Sequence, residues 1–322
     1  MILKKFIKFP EYEDTMLIIN IIIISNNNKY INMLLNKPII IDGAMGTELI
    51  SRGIPTPLPL WSAIANTSHN KIISDIHSDY IKAGSNVITT NTFRTTIRSY
   101  LKAGYNIKDA HLLSKQSFAN AIKAAKIATL NNNTLVALSI APLEDCYEPG
   151  LFPGSQIAIS EYKSILEMIN KDVVDIILFE TMGCYKEIKS ALIASSKIKT
   201  MKWLSIILKD SNSILDGTSI EKVIDLALEH DVDALLVNCT PLSIISKSID
   251  KIINKWVGKW GVYPNVGLSM PTKDGYFKKT VDNQLFLKEV SMYVNKGASI
   301  IGACCGSNPE LIRMISKHVD RY

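Results

Sequence analysis

Short apolar, β-branched runs recur along most of the chain. Each is followed by a longer stretch in which apolar positions return every three to four residues. The runs are Pro38–Ile41, Asn86–Thr90, Leu135–Ile140, Val174–Phe179, Trp203–Leu208, Ala234–Val237, Asn265–Leu268 and Ser299–Gly302. Near-continuous apolar runs of this length fit strands covered on both faces, as in a parallel sheet. The helical stretches cover roughly 68–83, 106–130, 157–171, 185–198, 218–230, 243–258, 282–296 and 309–319. Ser68 and Thr218 stand where N-caps belong, and Gly84 and Gly297 where helices end. Eight strand–helix repeats predict a single-domain α/β fold, the (β/α)8 TIM barrel. A doubly wound open sheet is the alternative, but no G-x-G-x-x-G follows the first strand, which weakens its dinucleotide-binding version.

Residues 1–32 are unlike the rest. They are rich in Ile, Asn and Lys, through Ile21–Ile24 and Asn26–Asn28, without a clear helical or strand period. The expected organisation is an N-terminal extension at 1–32 that folding does not need, followed by the barrel at 33–322. The rival reading is an N-terminal helix docked on the barrel.

Composition narrows the class. Of the 322 residues, 47% are hydrophobic, enough for a sizeable core. The net charge is +6, but the lysines are scattered and form no basic stripe interleaved with aromatics, so nucleic acid is not an expected partner. The longest apolar stretch, near Met16 to Ile24, falls well short of the ~20 residues of a spanning helix. Glu11, Glu13 and Asp14 interrupt the basic start, against a signal peptide. A cytoplasmic protein with no membrane partner is expected. The five cysteines, Cys146, Cys184, Cys239, Cys304 and Cys305, are too few and too odd in number for a disulfide scaffold, which points to metal or catalytic use in a reducing compartment.

In a (β/α)8 barrel the active site lies at the C-terminal ends of the strands. Asp42-Gly43-Ala44 follows the first run, Asn91-Thr92-Phe93 the second, and Glu144-Asp145-Cys146-Tyr147 comes after the third. Glu180 ends the fourth, Asn238-Cys239 the sixth and Cys304-Cys305 the eighth. Adjacent side chains in a strand point to opposite faces, so Cys304 and Cys305 can share a metal only where the chain turns, a freedom that Gly302 and Gly306 supply. With Cys239 they make three thiolates and leave a fourth tetrahedral position open, the pattern of a catalytic zinc. A strained vicinal disulfide, or simply buried cysteines, is the alternative. Cys146 and Cys184 are read as bystanders. Asp42 and Glu180 follow apolar runs and offer carboxylates for acid–base work or for an amino group. The backbone at Gly43 and Gly46 can approach an anion closely.

At these residues the sequence resembles the homocysteine S-methyltransferase family. The matching segments are IDGAMGTEL at 41–49, TTNTF at 89–93, FET at 179–181, VNC at 237–239, YPNVG at 263–267 and GACCG at 302–306, in the family's order. The resemblance implies a barrel enzyme holding Zn2+ through Cys239, Cys304 and Cys305, with the homocysteine thiolate on the metal. By the same carry-over Asp42 and Glu180 hold the substrate's ammonium and the Gly43 and Ala44 backbone its carboxylate. Asn91, Asn238 and Tyr147 complete the expected substrate-binding set. The implied reaction moves a methyl group from a cationic donor, S-methylmethionine or S-adenosylmethionine, to give methionine. Phe93, Tyr147 and Phe152 are placed to hold such a cation. The alternatives are the homocysteine-binding component of a corrinoid or folate methyl transfer system, and a non-catalytic zinc or thiol-binding protein.

Overall fold

Eight parallel strands take the order β1-β8-β7-β6-β5-β4-β3-β2 in the computed structural model, which describes residues 37–169, 174–272 and 277–322. They are β1 Ile39–Ile40, β2 Val87–Thr89, β3 Leu135–Ile140, β4 Ile176–Met182, β5 Met201–Ile206, β6 Ala234–Asn238, β7 Lys259–Tyr263 and β8 Ile300–Ile301. The two ends of this order meet. Ile41 bridges Val87 in parallel, Asn86 N–H donates to the Ile40 carbonyl at 2.7 Å, and Asp42 N–H donates to the Val87 carbonyl at 3.0 Å. The result is a (β/α)8 barrel. The boundary proposed at residues 1–32 lies outside the described residues.

The helices are α1 Met45–Ser51, α2 Ala65–Ser68, α3 Asn70–Lys82, α4 Ile97–Lys102, α5 Ile107–Thr129, α6 Ser155–Glu167, α7 Tyr185–Ala194, α8 Ile220–Glu229, α9 Leu242–Ile253, α10 Asn283–Asn295 and α11 Pro309–Val319. Each of the larger ones turns an apolar face to the sheet. In α11 that face is Leu311, Ile312, Ile315 and Val319, spaced three and four apart. The strands are buried from end to end in β3 and β6, as expected of a sheet covered on both sides. Among the described residues no helix is long and apolar enough to cross a membrane.

Four local expectations need correction. The seventh strand is Lys259–Tyr263, not Asn265–Leu268, and the preceding helix stops at Ile253 rather than running to 258. Lys259 and Gly261 interrupt the apolar pattern of this segment, which hides the strand. Gly261 in fact serves the sheet, since it faces Ile300 in the β7–β8 ladder and a Cβ there would lie 2.2 Å from the Ile300 carbonyl oxygen. Ser68 does not cap α3; its hydroxyl donates to the Ile64 carbonyl. Thr218 is one residue early, because Ser219 caps α8 by accepting from Lys222 N–H. Gly84 and Gly297 do end their helices, at φ +109° and +90°, values that favour glycine.

The close β7–β8 approach makes Gly261 a test of the barrel. Gly261→Ala is expected to destabilise the fold by about 1–3 kcal/mol through overpacking against backbone, read as a lowered urea midpoint. An unchanged midpoint would show that β8 yields freely.

Candidate functional site

Three sulfurs converge at the C-terminal rim. Cys239 Sγ lies 2.7 Å from Cys304 Sγ and 3.2 Å from Cys305 Sγ, and the last two are 4.0 Å apart. Cys239 leaves β6 in the left-handed region at φ +48°. Cys304 and Cys305 follow β8 in a turn closed by Ser307 N–H on the Cys304 carbonyl and by Gly306 at φ +81°. This turn is what lets two adjacent residues aim at one point. Hydrogen bonds from its two partners pull the Cys239 thiol well below its usual range. The same sharing pushes Cys304 and Cys305 up. Among the described residues these three form the one group of histidine, cysteine or acidic side chains close enough to share a metal ion. Three soft sulfur donors, grouped without a carboxylate or imidazole, suit zinc over magnesium or calcium.

The sulfurs open into a cavity of about 240 Å³, lined also by Asp42, Gly43, Ala44, Asn91, Tyr147 and Glu180. Asp42 is held by Thr89, whose N–H donates to one carboxylate oxygen at 2.9 Å and whose hydroxyl donates to the other at 3.0 Å. Burial, opposed by the Thr89 bonds and reinforced by Glu180, leaves the Asp42 carboxyl well above its usual range. Glu180 accepts from Ser139 Oγ at 2.5 Å, and burial lifts its carboxyl to about 7. Its position comes from an irregularity. The β4–β5 register shifts between Phe179 and Met182, and Thr181 adopts φ +58°. Such a bulge re-aims a side chain at a sheet end.

Asn238 stands behind the cavity wall and is fully buried. Its amide accepts from Thr181 N–H at 3.2 Å and from Ser205 Oγ at 2.7 Å, donates to Thr181 Oγ1 at 2.8 Å, and approaches Cys304 Sγ at 3.9 Å. One side chain thus holds the bulge beside Glu180 and reaches the sulfur cluster. Asn91 does line the cavity, but its Nδ2 is engaged by the Ser62 carbonyl and by Asn66 Oδ1. Ala44 N–H donates to Ser307 Oγ at 3.0 Å. A Cβ on Gly43 would come within 2.7 Å of Ser307 Oγ and of the Tyr80 ring, so the glycine there serves close packing.

Of the aromatics expected to face a cation, Phe93 and Tyr147 line the cavity, whereas Phe152 packs on the hydrophobic core. Cys184 lies outside the cavity, but Cys146 lines it and interacts electrostatically with Cys239. The loop carrying Cys146 and Tyr147 is braced by ions: Glu144 pairs with Arg98 and Lys102, and Arg94 Nη1 donates to the Glu144 carbonyl. Thr89, Ser139, Trp61, Arg94 and Tyr263 also line the site and went unassigned in the sequence. Ser139 had left a signal, a hydroxyl inside the apolar run LVALSI.

A chain 27% identical over 307 residues, covering 88% of this protein and 93% of the relative, is homocysteine S-methyltransferase 1 of Arabidopsis thaliana. The selenocysteine Se-methyltransferase of Brassica oleracea var. italica is 29% identical, covering 87% and 88%. Homocysteine S-methyltransferase YbgG of Bacillus subtilis is 28% identical, covering 86% and 93%. The crystal structure of the Escherichia coli homocysteine methyltransferase MmuM, metallated form, superposes with a TM-score of 0.75 at 23% identity, covering 88% of this chain and 96% of that one, and shows the shared fold. The family profile described as homocysteine S-methyltransferase matches residues 39–319, and the chain belongs to that methyltransferase family.

Proposed function

We propose that this protein transfers a methyl group from a cationic donor, with S-methylmethionine or S-adenosylmethionine favoured, to the thiolate of homocysteine, and that Cys239, Cys304 and Cys305 hold the zinc ion that the reaction uses. The observation that carries this reading is the convergence of three sulfurs and two carboxyls, Asp42 buried and Glu180 half-buried, on one cavity. Held by these three cysteines, zinc would lower the pKa of an acceptor thiol so that it is a thiolate at neutral pH, a form that a free thiol reaches only in small part.

The chain's own residues supply recognition and direction. Asp42 and Glu180 hold the acceptor's ammonium as a pair of charge-assisted hydrogen bonds. The Gly43 and Ala44 backbone holds its carboxylate, with Ser307 Oγ sharing the Ala44 N–H. Asn91 on the cavity wall and Asn238 behind it keep the wall in register. Phe93 and Tyr147 offer ring faces to the positive charge of the donor, which leaves as a neutral molecule once the methyl has moved. The test is direct: purified protein loaded with zinc is given homocysteine and each donor in turn, and methionine is measured. Formation of methionine with no second protein present separates this reading from a component of a corrinoid system.

The protein is expected to hold about one zinc per chain, and Cys239→Ser to lose both metal and activity while its far-UV circular dichroism stays native. Full turnover by a metal-free preparation contradicts the proposal.

Glu180→Gln keeps the shape and removes the charge. Homocysteine affinity is expected to fall roughly ten- to a hundredfold, since a hydrogen bond to a charged group contributes about 1.5–3 kcal/mol, with zinc content unchanged. The pH dependence follows. The Glu180 carboxyl is raised to about 7, so in the empty site its protonated form prevails below that pH. Only the carboxylate attracts an ammonium, so affinity rises with pH through about 7. Subtracting the Glu180→Gln profile removes the contribution of the thiol's own ionisation. Parallel profiles in the two proteins would exclude Glu180 as the ammonium partner.

A further inference from the structure

One residue of the cavity wall carries a buried hydroxyl without a well-formed hydrogen bond. Tyr263 ends β7 and is 3% exposed, and it lines the cavity that also holds Glu180, Cys239 and Cys304. Its hydroxyl is fully buried and forms no hydrogen bond of good geometry. The other buried side-chain atoms in that condition among the described residues belong to Thr56, His77 and Ser85, none of which lines the cavity. A buried hydroxyl left unpaired is costly, and a native site that keeps one calls for an explanation. Glu180 and Ser205 are its polar neighbours. Ser205 gives its proton to Asn238 Oδ1, and the Glu180 carboxylate accepts from Ser139, so each keeps lone pairs for the phenol's proton while neither has a proton to give to the phenol's oxygen.

A phenol has one proton to give and lone pairs to receive. Beside Glu180 it can donate to the carboxylate and accept from a cationic N–H at once. Neutrality matters here. Asp42 and Glu180 already raise each other's burden of negative charge next to a sulfur cluster, and burial already opposes their ionisation. A third carboxylate would deepen that penalty, whereas a hydroxyl adds an acceptor without adding charge.

We propose that Tyr263 is a further acceptor-binding residue: its hydroxyl accepts a hydrogen bond from the α-ammonium of the amino-acid thiol, which Asp42 and Glu180 hold from the other sides. This rests on the reading of the site as a homocysteine site. The role is selective, because an acceptor thiol without an amino group gains nothing from it.

The test uses the zinc-loaded full chain, with Tyr263→Phe compared with the wild type. Binding of homocysteine and of 4-mercaptobutyrate, the same skeleton without the amino group, is measured by calorimetry in the absence of any methyl donor. Melting temperature is measured without ligand. The variant is expected to bind homocysteine about tenfold more weakly, in keeping with one lost hydrogen bond to a charged group. It is expected to bind 4-mercaptobutyrate as the wild type does. Its ligand-free melting temperature is expected to stay level or rise, since an unsatisfied buried hydroxyl has been removed. A lower melting temperature with both thiols weakened equally overturns the proposal and makes the hydroxyl a support of the fold. Unchanged homocysteine binding also overturns it and leaves the homocysteine reading standing. Failure of the wild-type protein to bind homocysteine overturns both.

Discussion

The chain leaving β7 fastens the two cysteine-bearing turns to each other, and the site depends on that fastening. β7 lies between β6, which ends at Cys239, and β8, which precedes Cys304 and Cys305. The Tyr263 carbonyl accepts from Cys239 N–H at 3.3 Å and the Pro264 carbonyl from Cys304 N–H at 2.6 Å. Asn265 Nδ2 donates to the Cys239 carbonyl at 3.2 Å, and Val266 N–H donates to the Cys305 carbonyl at 3.1 Å. Four bonds therefore run from four consecutive residues to all three candidate ligands. They also hold Cys239 in a left-handed conformation that costs a non-glycine residue on the order of 1–3 kcal/mol. A metal centre assembled from strands that are not neighbours needs such a spacer, because the side chains cannot converge until the backbones are in register.

Electrostatics gives this geometry its selectivity. Asp42 is buried and Glu180 half-buried, their charges oppose each other, and Glu180 lies near the Cys239 sulfur. Such a site disfavours a second anion and rewards a cation that brings its own hydrogen-bond donors. Desolvation works in both directions. It penalises the empty carboxylates, and it strengthens their attraction to an ammonium once the cavity is filled. The Asn238 amide connects this half of the site to the sulfur cluster, since it holds the Thr181 bulge beside Glu180 and also reaches Cys304.

The parts legible in the sequence were those that depend on order along the chain. Apolar runs ending in Asp42, Glu180, Cys239 and Cys304 marked strand ends, and the barrel rule placed those ends on one rim. The seventh strand was not legible, because Gly261 reads as a breaker when its partner is unknown and as a close-packing residue only beside Ile300. Tyr263 and Asn265 were hidden for the same reason: their part is set by neighbours distant in the chain, such as Cys239 and Glu180, and not by local pattern. Asn91 and Asn238 were legible as polar residues at the rim. Whether an amide faces the cavity or its wall depends on side-chain partners that spacing does not reveal. Phe152 shows the converse, an aromatic near the rim by sequence whose ring belongs to the core.

The central claim is that the acceptor's sulfur joins the three cysteine sulfurs on one zinc ion. Zinc-edge X-ray absorption on the loaded protein, before and after addition of homocysteine without a methyl donor, tests it most directly. The account predicts three sulfur neighbours and one lighter atom in the first spectrum, and four sulfurs at ~2.3 Å in the second. A first shell that keeps its lighter atom when homocysteine is saturating would contradict it.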